Sequence, residues 1–188
     1  MNKKDLRKMM LEKLQEIDSK SHIYKSKSII NKLFDSEQYK SSKDIFVFVS
    51  FKNEINTHEF INRAINDNKN VYVPIIDKAN KLMNISKLTR FEDLESGYFG
   101  VLEPNKESID IVDPNILDLV ITPGLIFNTK GYRIGYGAGF YDKFFSSLNT
   151  NPTKIGICFE EQIMDFENDD YDIPVDLIIN DKSTINIK

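Results

Sequence analysis

Apolar residues recur at intervals of three and four positions near the start of the chain, which is typical of helices with one buried face. The first stripe predicts a helix of about four turns, formed by Leu6, Met9, Met10, Leu14 and Ile17. A second helix is predicted from Ile23, Ile29, Ile30, Leu33 and Phe34. The Ser- and Lys-rich stretch 39–43 is expected to end the helical pattern. The nearly continuous apolar run 45–49 predicts a strand covered by helices on both faces.

The next elements predict a parallel pairing of strands. Thr57 is expected to cap a helix whose apolar face consists of Phe60, Ile61, Ala64 and Ile65. A strand is expected at 71–76. Strand, helix and strand within about 30 residues form a βαβ unit, which implies a right-handed crossover.

The same order of elements recurs after a mixed region with turn signals at 97–104. A strand is expected at 117–121, a helix at 140–148 and a strand at 155–159. Short strands are expected at 177–179 and 184–187. We therefore predict a single domain over residues 1–188, a three-layer α/β/α arrangement with a mostly parallel, Rossmann-like sheet. In such a sheet the ligand lies beyond the carboxyl ends of the strands.

Composition excludes several classes of protein. The chain has 188 residues, a formal net charge of −4 and one cysteine, so a disulfide framework and a multi-cysteine zinc site are both excluded. The first residues lack the apolar core of a secretory signal, and no apolar stretch approaches the roughly 20 residues of a membrane span. The acidic balance argues against nucleic-acid binding. We expect a cytoplasmic monomer that acts on a small molecule.

Charge is unevenly distributed along the chain. Five cations crowd the first helix, whereas the segment 160–176 contains eight acids and no base. A basic first helix could meet a small anionic ligand even in an acidic protein.

Candidate chemistry concentrates in the glycine-rich stretch 121–145, between a predicted strand and a predicted helix. Five of the eight glycines lie within 124–139. A loop of exposed N–H groups that runs into a helix N-terminus can hold a phosphate. The spacing of Gly135, Gly137 and Gly139 matches neither the dinucleotide-binding fingerprint nor the Walker A motif. A tight turn that only allows close packing is an equally good interpretation of the glycines.

Asp142 follows the glycines in the first turn of the predicted helix. A carboxylate beside a phosphate suggests an intervening Mg²⁺. An acid at this position also complements the helix dipole without any metal, and both interpretations stay open.

The sequence resembles the 5-formyltetrahydrofolate cyclo-ligase family. The run YRIGYGAGFYDKFF, preceded by TPGLIF, is similar to the family's PGLAF and GYRLGYGGGYYD-like signature. The segments KKDLRKMMLEKL, VSFKNEINTHEF and VDLIIND resemble the family's first helix, first strand and loop, and closing strand, in the same order. The resemblance implies an enzyme that uses ATP and Mg²⁺ to convert 5-formyltetrahydrofolate into 5,10-methenyltetrahydrofolate, ADP and phosphate.

The resemblance also implies roles for individual residues. Lys3, Arg7 and Arg133 would act on the phosphates during catalysis. The ATP site would comprise Lys3, Lys4, Asp5, Leu6, Arg7, Arg133, Ile134, Gly135, Tyr136, Gly137, Ala138, Gly139, Phe140 and Tyr141. The folate site would comprise Phe51, Glu54, Asn56, Tyr136, Gly137, Ala138, Gly139 and Phe140. The metal would be held by Asp142 and Asp176.

Three positions depart from the family pattern. Asn56 stands where an acid is frequent, and Phe140 where a tyrosine is frequent. Ala138 replaces a frequent glycine or lysine and requires a negative φ.

Two alternative functions stay open. One is another phosphate-ligand enzyme, such as a sugar-phosphate isomerase, and the other is a non-catalytic nucleotide- or folate-binding protein.

Overall fold

The computed structural model describes residues 2–77, 79–97 and 100–187. The helices are α1 (Lys3–Gln15), α2 (Ser19–Asp35), α3 (Glu37–Ser41), α4 (His58–Asn66) and α5 (Phe140–Ser147). The strands are β1 (Asp44–Val47), β2 (Asn70–Asp77), β3 (Leu82–Leu88), β4 (Leu94–Ser96), β5 (Leu102–Pro104), β6 (Ile111–Val112), β7 (Leu119–Thr122), β8 (Ile126–Phe127), β9 (Arg133–Ile134), β10 (Thr153–Ile157), β11 (Leu177–Ile179) and β12 (Thr184–Asn186).

Within the described residues, eight strands form one sheet in the order β12-β11-β10-β7-β1-β2-β3-β6. The five central strands, from β11 to β2, pair in parallel. Strands β12 and β3 run antiparallel to their neighbours. The predicted mostly parallel α/β sheet is confirmed.

Side chains of β1 point alternately to the two faces of the sheet and so define the layers. Ile45 and Val47 belong to the main core with residues of α1, α2 and α4. Phe46 points the other way and packs with Phe144 and Phe145 of α5. The predicted three layers are therefore present, with α5 on the second face.

The first helix forms as its pattern predicts. The Asn2 side chain accepts hydrogen bonds from the backbone N–H groups of Lys4 and Asp5 and so caps α1. Leu6, Met10 and Leu14 are buried in the main core. This packing fixes the orientation of the neighbouring stripe of the helix, which begins with Lys3 and Arg7.

Two elements differ from the expectation. The stretch 39–43, predicted to end the helical pattern, overlaps α3. Tyr39 of this helix is buried beside Phe34 and Phe60, and its hydroxyl donates to Asp67. The region between strand β2 and residue 117 contains a further strand, β3. All of β3 pairs with β2. No helix in the described ranges is long and apolar enough to cross a membrane.

Candidate functional site

A cavity of about 760 Å³ lies where the sequence predicted a ligand, beyond the carboxyl ends of β1 and β7. Phe48 and Val49 directly follow β1, Pro123 directly follows β7, and all three line the cavity. The volume lies within the range typical of small-molecule sites.

One stripe of α1 forms a wall of the cavity, and this stripe consists of Lys3, Arg7, Leu11, Leu14 and Gln15. These positions lie on one helical face and span about 18 Å at about 1.5 Å per residue. The wall is cationic at its beginning and mostly apolar at its end. The intervening candidates do not join it, since Lys4 and Asp5 are exposed and Leu6 is buried in the core.

The whole segment 133–142 lines the cavity opposite this wall. Arg7 joins the two sides, because its Nε donates a 2.8 Å hydrogen bond to the carbonyl oxygen of Gly135. Gly137 and Gly139 have φ angles of 113° and 67°, which side chains disfavour. Ala138 does not have a positive φ, so its backbone is in a conformation that a residue with a side chain adopts readily.

Gly139 caps α5 and has no side chain that could satisfy the first N–H groups of the helix. Those donors and the helix dipole favour an anion at this end of the cavity. The loop, the helix start and the two cations of α1 therefore form a site suited to phosphate groups, which we call the cationic end.

Lys3 has partners that the sequence did not indicate. Its Nζ lies 2.7 Å from a carboxylate oxygen of Asp169 and 2.7 Å from one of Asp172. Partial burial alone would lower the pKa of Lys3. The hydrogen bonds and charges of the two aspartates have the larger combined effect and raise the pKa of Lys3. Lys3 is therefore held protonated at the wall of the cavity.

Arg133 is the most deeply buried of the predicted catalytic residues. Its side chain is 3% exposed, Nη1 donates to the carbonyl oxygen of Ile173 at 2.8 Å, and Nη2 donates to Asp142 at 3.1 Å. Its guanidinium also lies 5.1 Å from the ring centroid of Phe145. Burial lowers the pKa of Arg133, and the charge of Asp142 opposes that effect. These contacts give Arg133 a structural role in fixing the loop before α5.

The two predicted metal ligands occupy different places. Oδ1 of Asp142 accepts hydrogen bonds from Arg133 and from the backbone N–H of Ile173, and this residue lines the cavity. Asp176 lies outside the lining, immediately before β11, where its carboxylate contacts the backbone N–H and the Nζ of Lys154. In the described part of the chain, no group of three or more His, Cys, Asp or Glu could hold a metal.

The other side of the cavity carries the predicted folate residues Phe51 and Glu54. The Glu54 carboxylate accepts a 2.8 Å hydrogen bond from the backbone N–H of Phe51 and lies within hydrogen-bonding reach of the Tyr136 hydroxyl. Burial raises the pKa of Glu54 despite these two contacts. Apolar side chains extend this surface, among them Ile76, Met83 and Leu102.

Asn56 does not join this wall. It is exposed, and its side-chain oxygen accepts from the backbone N–H of His58 at the start of α4. Thr57 occupies the position before α4 as predicted, but its hydroxyl donates to the carbonyl oxygen of Phe48 instead of capping the helix. These two side chains fix the loop after β1 and so place Phe51 and Glu54.

The remaining aromatic candidates line the cavity, and two of them also pack against the core. Tyr136 lines the cavity and is more than half exposed. Phe140 and Tyr141 line it too, but both also pack against the core on the α5 side of the sheet. Phe140, where the family frequently has a tyrosine, therefore keeps an aromatic ring at the boundary between cavity and core.

Comparisons with known proteins agree on one family. The model of the 5-formyltetrahydrofolate cyclo-ligase family matches residues 1–181. The chain is 31% identical to a 5-formyltetrahydrofolate cyclo-ligase of Mycoplasma pneumoniae, over 97% of this chain and 100% of the relative. It is 25% identical to the mouse 5-formyltetrahydrofolate cyclo-ligase, over 96% and 94% of the two chains. The solved structure of the Aquifex aeolicus 5,10-methenyltetrahydrofolate synthetase matches with a TM-score of 0.87 and 25% identity, covering 100% of this chain and 94% of that one. The chain is an enzyme and belongs to the 5-formyltetrahydrofolate cyclo-ligase family.

Proposed function

We propose that this enzyme converts 5-formyltetrahydrofolate into 5,10-methenyltetrahydrofolate and consumes one ATP, which it releases as ADP and phosphate. One observation carries the proposal: a single cavity combines the cationic end with an aromatic wall that bears the half-buried carboxylate of Glu54. Tyr136 of the glycine loop and Glu54 of the folate wall interact electrostatically, so the two parts of the cavity are neighbours. A polyphosphate and a reduced folate bound at these two places would meet within the cavity.

The chemistry explains why a phosphate donor is required. Ring closure joins N10 to the formyl carbon on N5 and must expel the formyl oxygen, which is a poor leaving group. Attack of that oxygen on the γ-phosphorus of ATP releases ADP and gives a phosphorylated oxygen. N10 then forms its bond to carbon, loses its proton, and the oxygen leaves as inorganic phosphate. The protein needs no nucleophile of its own, because positioning and charge stabilisation suffice.

The residues of the cavity suit these tasks. Arg7 offers a planar guanidinium and Lys3 a compact ammonium to the phosphate oxygens, and the N–H groups of the glycine loop add neutral donors. Phe51 provides an aromatic surface for the pterin ring, and Glu54 provides a carboxylate for its N–H groups.

Asp142 is the residue best placed to hold a Mg²⁺ together with ATP oxygens. It lines the cavity, and within the described ranges its second carboxylate oxygen, Oδ2, accepts no hydrogen bond. Mg²⁺ commonly uses one or two carboxylates and completes its coordination with phosphate oxygens and water. When bound, the ion would neutralise part of the polyphosphate charge beside Asp142.

The proposal is tested with purified protein, 5-formyltetrahydrofolate, ATP and Mg²⁺. We expect absorbance from the methenyl product to grow only when ATP is present, with one ADP released per product. Omission of ATP and replacement of Mg²⁺ by a chelator are the controls. Binding of both ligands without either product would instead identify a non-catalytic binding protein, and absence of folate binding would overturn the proposal.

A further inference from the structure

The loop between β1 and α4 carries Phe51 and Glu54, and its tip is a tight turn. The backbone N–H of Glu54 donates to the carbonyl oxygen of Phe51 at 3.2 Å, and the N–H of Phe51 donates to the Glu54 carboxylate at 2.8 Å. Lys52, inside this turn, has a φ angle of 53°, in the left-handed region that side chains disfavour. Such a conformation persists where the surrounding structure holds it in place.

Both histidines of the chain contact the backbone of this loop. Nε2 of His22, in α2, lies 3.2 Å from the carbonyl oxygen of Asn53, and Nε2 of His58, at the start of α4, lies 3.2 Å from that of Ser50. A carbonyl oxygen only accepts hydrogen bonds, so Nε2 of each ring carries a proton and donates it. Helix α4 therefore holds the loop just before the turn, and α2 holds the turn itself.

The ring of His22 is fixed by packing against the core. It meets the ring of Phe159 edge to face, with centroids 5.2 Å apart and an interplanar angle of 72°. Phe159 is buried in the main core. His22 does not line the cavity, whereas Asn53, which accepts its hydrogen bond, does. Any effect of His22 on a ligand must therefore pass through the loop.

The two histidine contacts differ in what supports them. Ser50 and Thr57 bind each other reciprocally, because the backbone N–H of each donates to the side-chain oxygen of the other at 3.0 Å. His58 therefore adds to an anchor that already exists on its side of the loop. His22 instead ties Asn53, at the tip of the turn, to a different helix.

We propose that His22 is a positioning residue for the folate, because it holds the turn that presents Phe51 and Glu54 to the pterin ring; this assignment rests on the proposed function of the cavity. An aromatic surface and a carboxylate recognise one planar ring only when their relative orientation is fixed. A turn that is already held in that orientation loses less conformational freedom when the folate binds.

The test compares His22→Phe with His22→Gln in the full chain. Phenylalanine keeps an aromatic ring beside Phe159 and removes the donor, whereas glutamine keeps an N–H donor and removes the ring. We expect His22→Phe to raise the KM for 5-formyltetrahydrofolate about fivefold, the effect of losing one hydrogen bond. The KM for ATP should stay within about twofold of the wild-type value. His22→Gln should keep the KM for folate within about twofold of wild type, since its amide supplies the donor.

His58→Phe is the matched control, because it removes the same donor at the same distance from the same loop. It should raise the KM for folate less than about twofold, since the bonds between Ser50 and Thr57 remain. An effect as large as that of His22→Phe would overturn the proposal. Equal effects of His22→Phe and His22→Gln, or an unchanged KM for folate in His22→Phe, would also overturn it. So would equal rises in the KM for folate and for ATP with a lower melting temperature, which would show a general structural role.

Amide hydrogen exchange of the ligand-free proteins separates this proposal from the proposed function. Peptides that cover 48–57 should exchange about threefold faster or more in His22→Phe than in wild type and His22→Gln, with other peptides unchanged. If this pattern is found but the wild type binds no folate, the proposed function fails and the hold of His22 on the turn stands. Unchanged exchange in His22→Phe rejects the positioning role, and turnover by the wild type would then leave the proposed function standing.

Discussion

Replacing Arg133 with alanine is expected to lower the free energy of unfolding by about 3 kcal/mol, near the low end for breaking a buried ion pair. The substitution removes a guanidinium that is 3% exposed and leaves the Asp142 carboxylate and the Ile173 carbonyl oxygen without their main donor. Asp142 keeps some contact with water, which limits the loss. Urea denaturation of both proteins at 25 °C measures the difference.

Arg90→Ala is the matched control for this stability effect. Arg90 also pairs with an aspartate, Asp93, but its side chain is 71% exposed. The loss there should be far smaller than in Arg133→Ala, because solvent screens surface ion pairs. Equal losses in the two variants would contradict the structural role of Arg133, and an unchanged stability of Arg133→Ala would show that its burial contributes nothing.

Replacing Arg7 with alanine is expected to lower kcat/KM for ATP about 100-fold, the size of effect seen when one preorganised hydrogen-bond donor to a reacting group is removed. Arg7 lines the cationic end and holds the Gly135 carbonyl oxygen, so the variant loses both a cation and the position of the loop. Arg7→Lys should recover only part of the activity, because an ammonium cannot bond Gly135 and a phosphate with the same planar geometry.

Lys8→Ala serves as the control on the same helix. Lys8 is one position further along α1, but its side chain is 81% exposed and pairs only loosely with Glu12. Its removal should leave kcat/KM for ATP within about twofold, since Lys8 is not among the residues that line the cavity and salt screens the charge of an exposed side chain. Similar losses in Arg7→Ala and Lys8→Ala would indicate a general effect of net charge and contradict a specific contact.

The sequence predicted the elements whose buried residues are continuous or regularly spaced. The run that forms β1 and the stripe that forms α1 are of this kind, because their burial follows directly from local periodicity. Strand β3 was missed because Ser86 interrupts its apolar pattern. That serine is fully buried, and its hydroxyl accepts a hydrogen bond from the backbone N–H of Asp110. The local pattern of apolar and polar residues does not indicate this contact.

Some parts of the candidate site were predictable from the sequence and others were not. The glycine spacing and the resemblance led to the loop that lines the cavity, and the basic start of α1 led to Lys3 and Arg7. The partners of Lys3 were not predictable, because they lie 166 and 169 positions away along the chain. For the same reason the acidic segment 160–176 was recognised as a charge imbalance and not as part of the cavity.

The burial of Arg133 and the exposure of Asn56 also depend on tertiary structure. Their positions in the motifs alone suggested ligand contacts for both residues. The structure places the first in the wall of the cavity and the second at the start of α4. Motif resemblance locates a region, whereas the packing of loops decides which of its side chains face the ligand.

The central claim is that ATP in this cavity activates the formyl oxygen of the folate, and transfer of a heavy-oxygen label tests it most directly. 5-Formyltetrahydrofolate carrying oxygen-18 in its formyl group is converted with unlabelled ATP in unlabelled water, and the released phosphate is analysed by mass spectrometry. We expect one labelled oxygen in each phosphate, because the formyl oxygen leaves bonded to phosphorus. Methenyl product accompanied by unlabelled phosphate would contradict it, since ATP would then be hydrolysed by water without activating the folate.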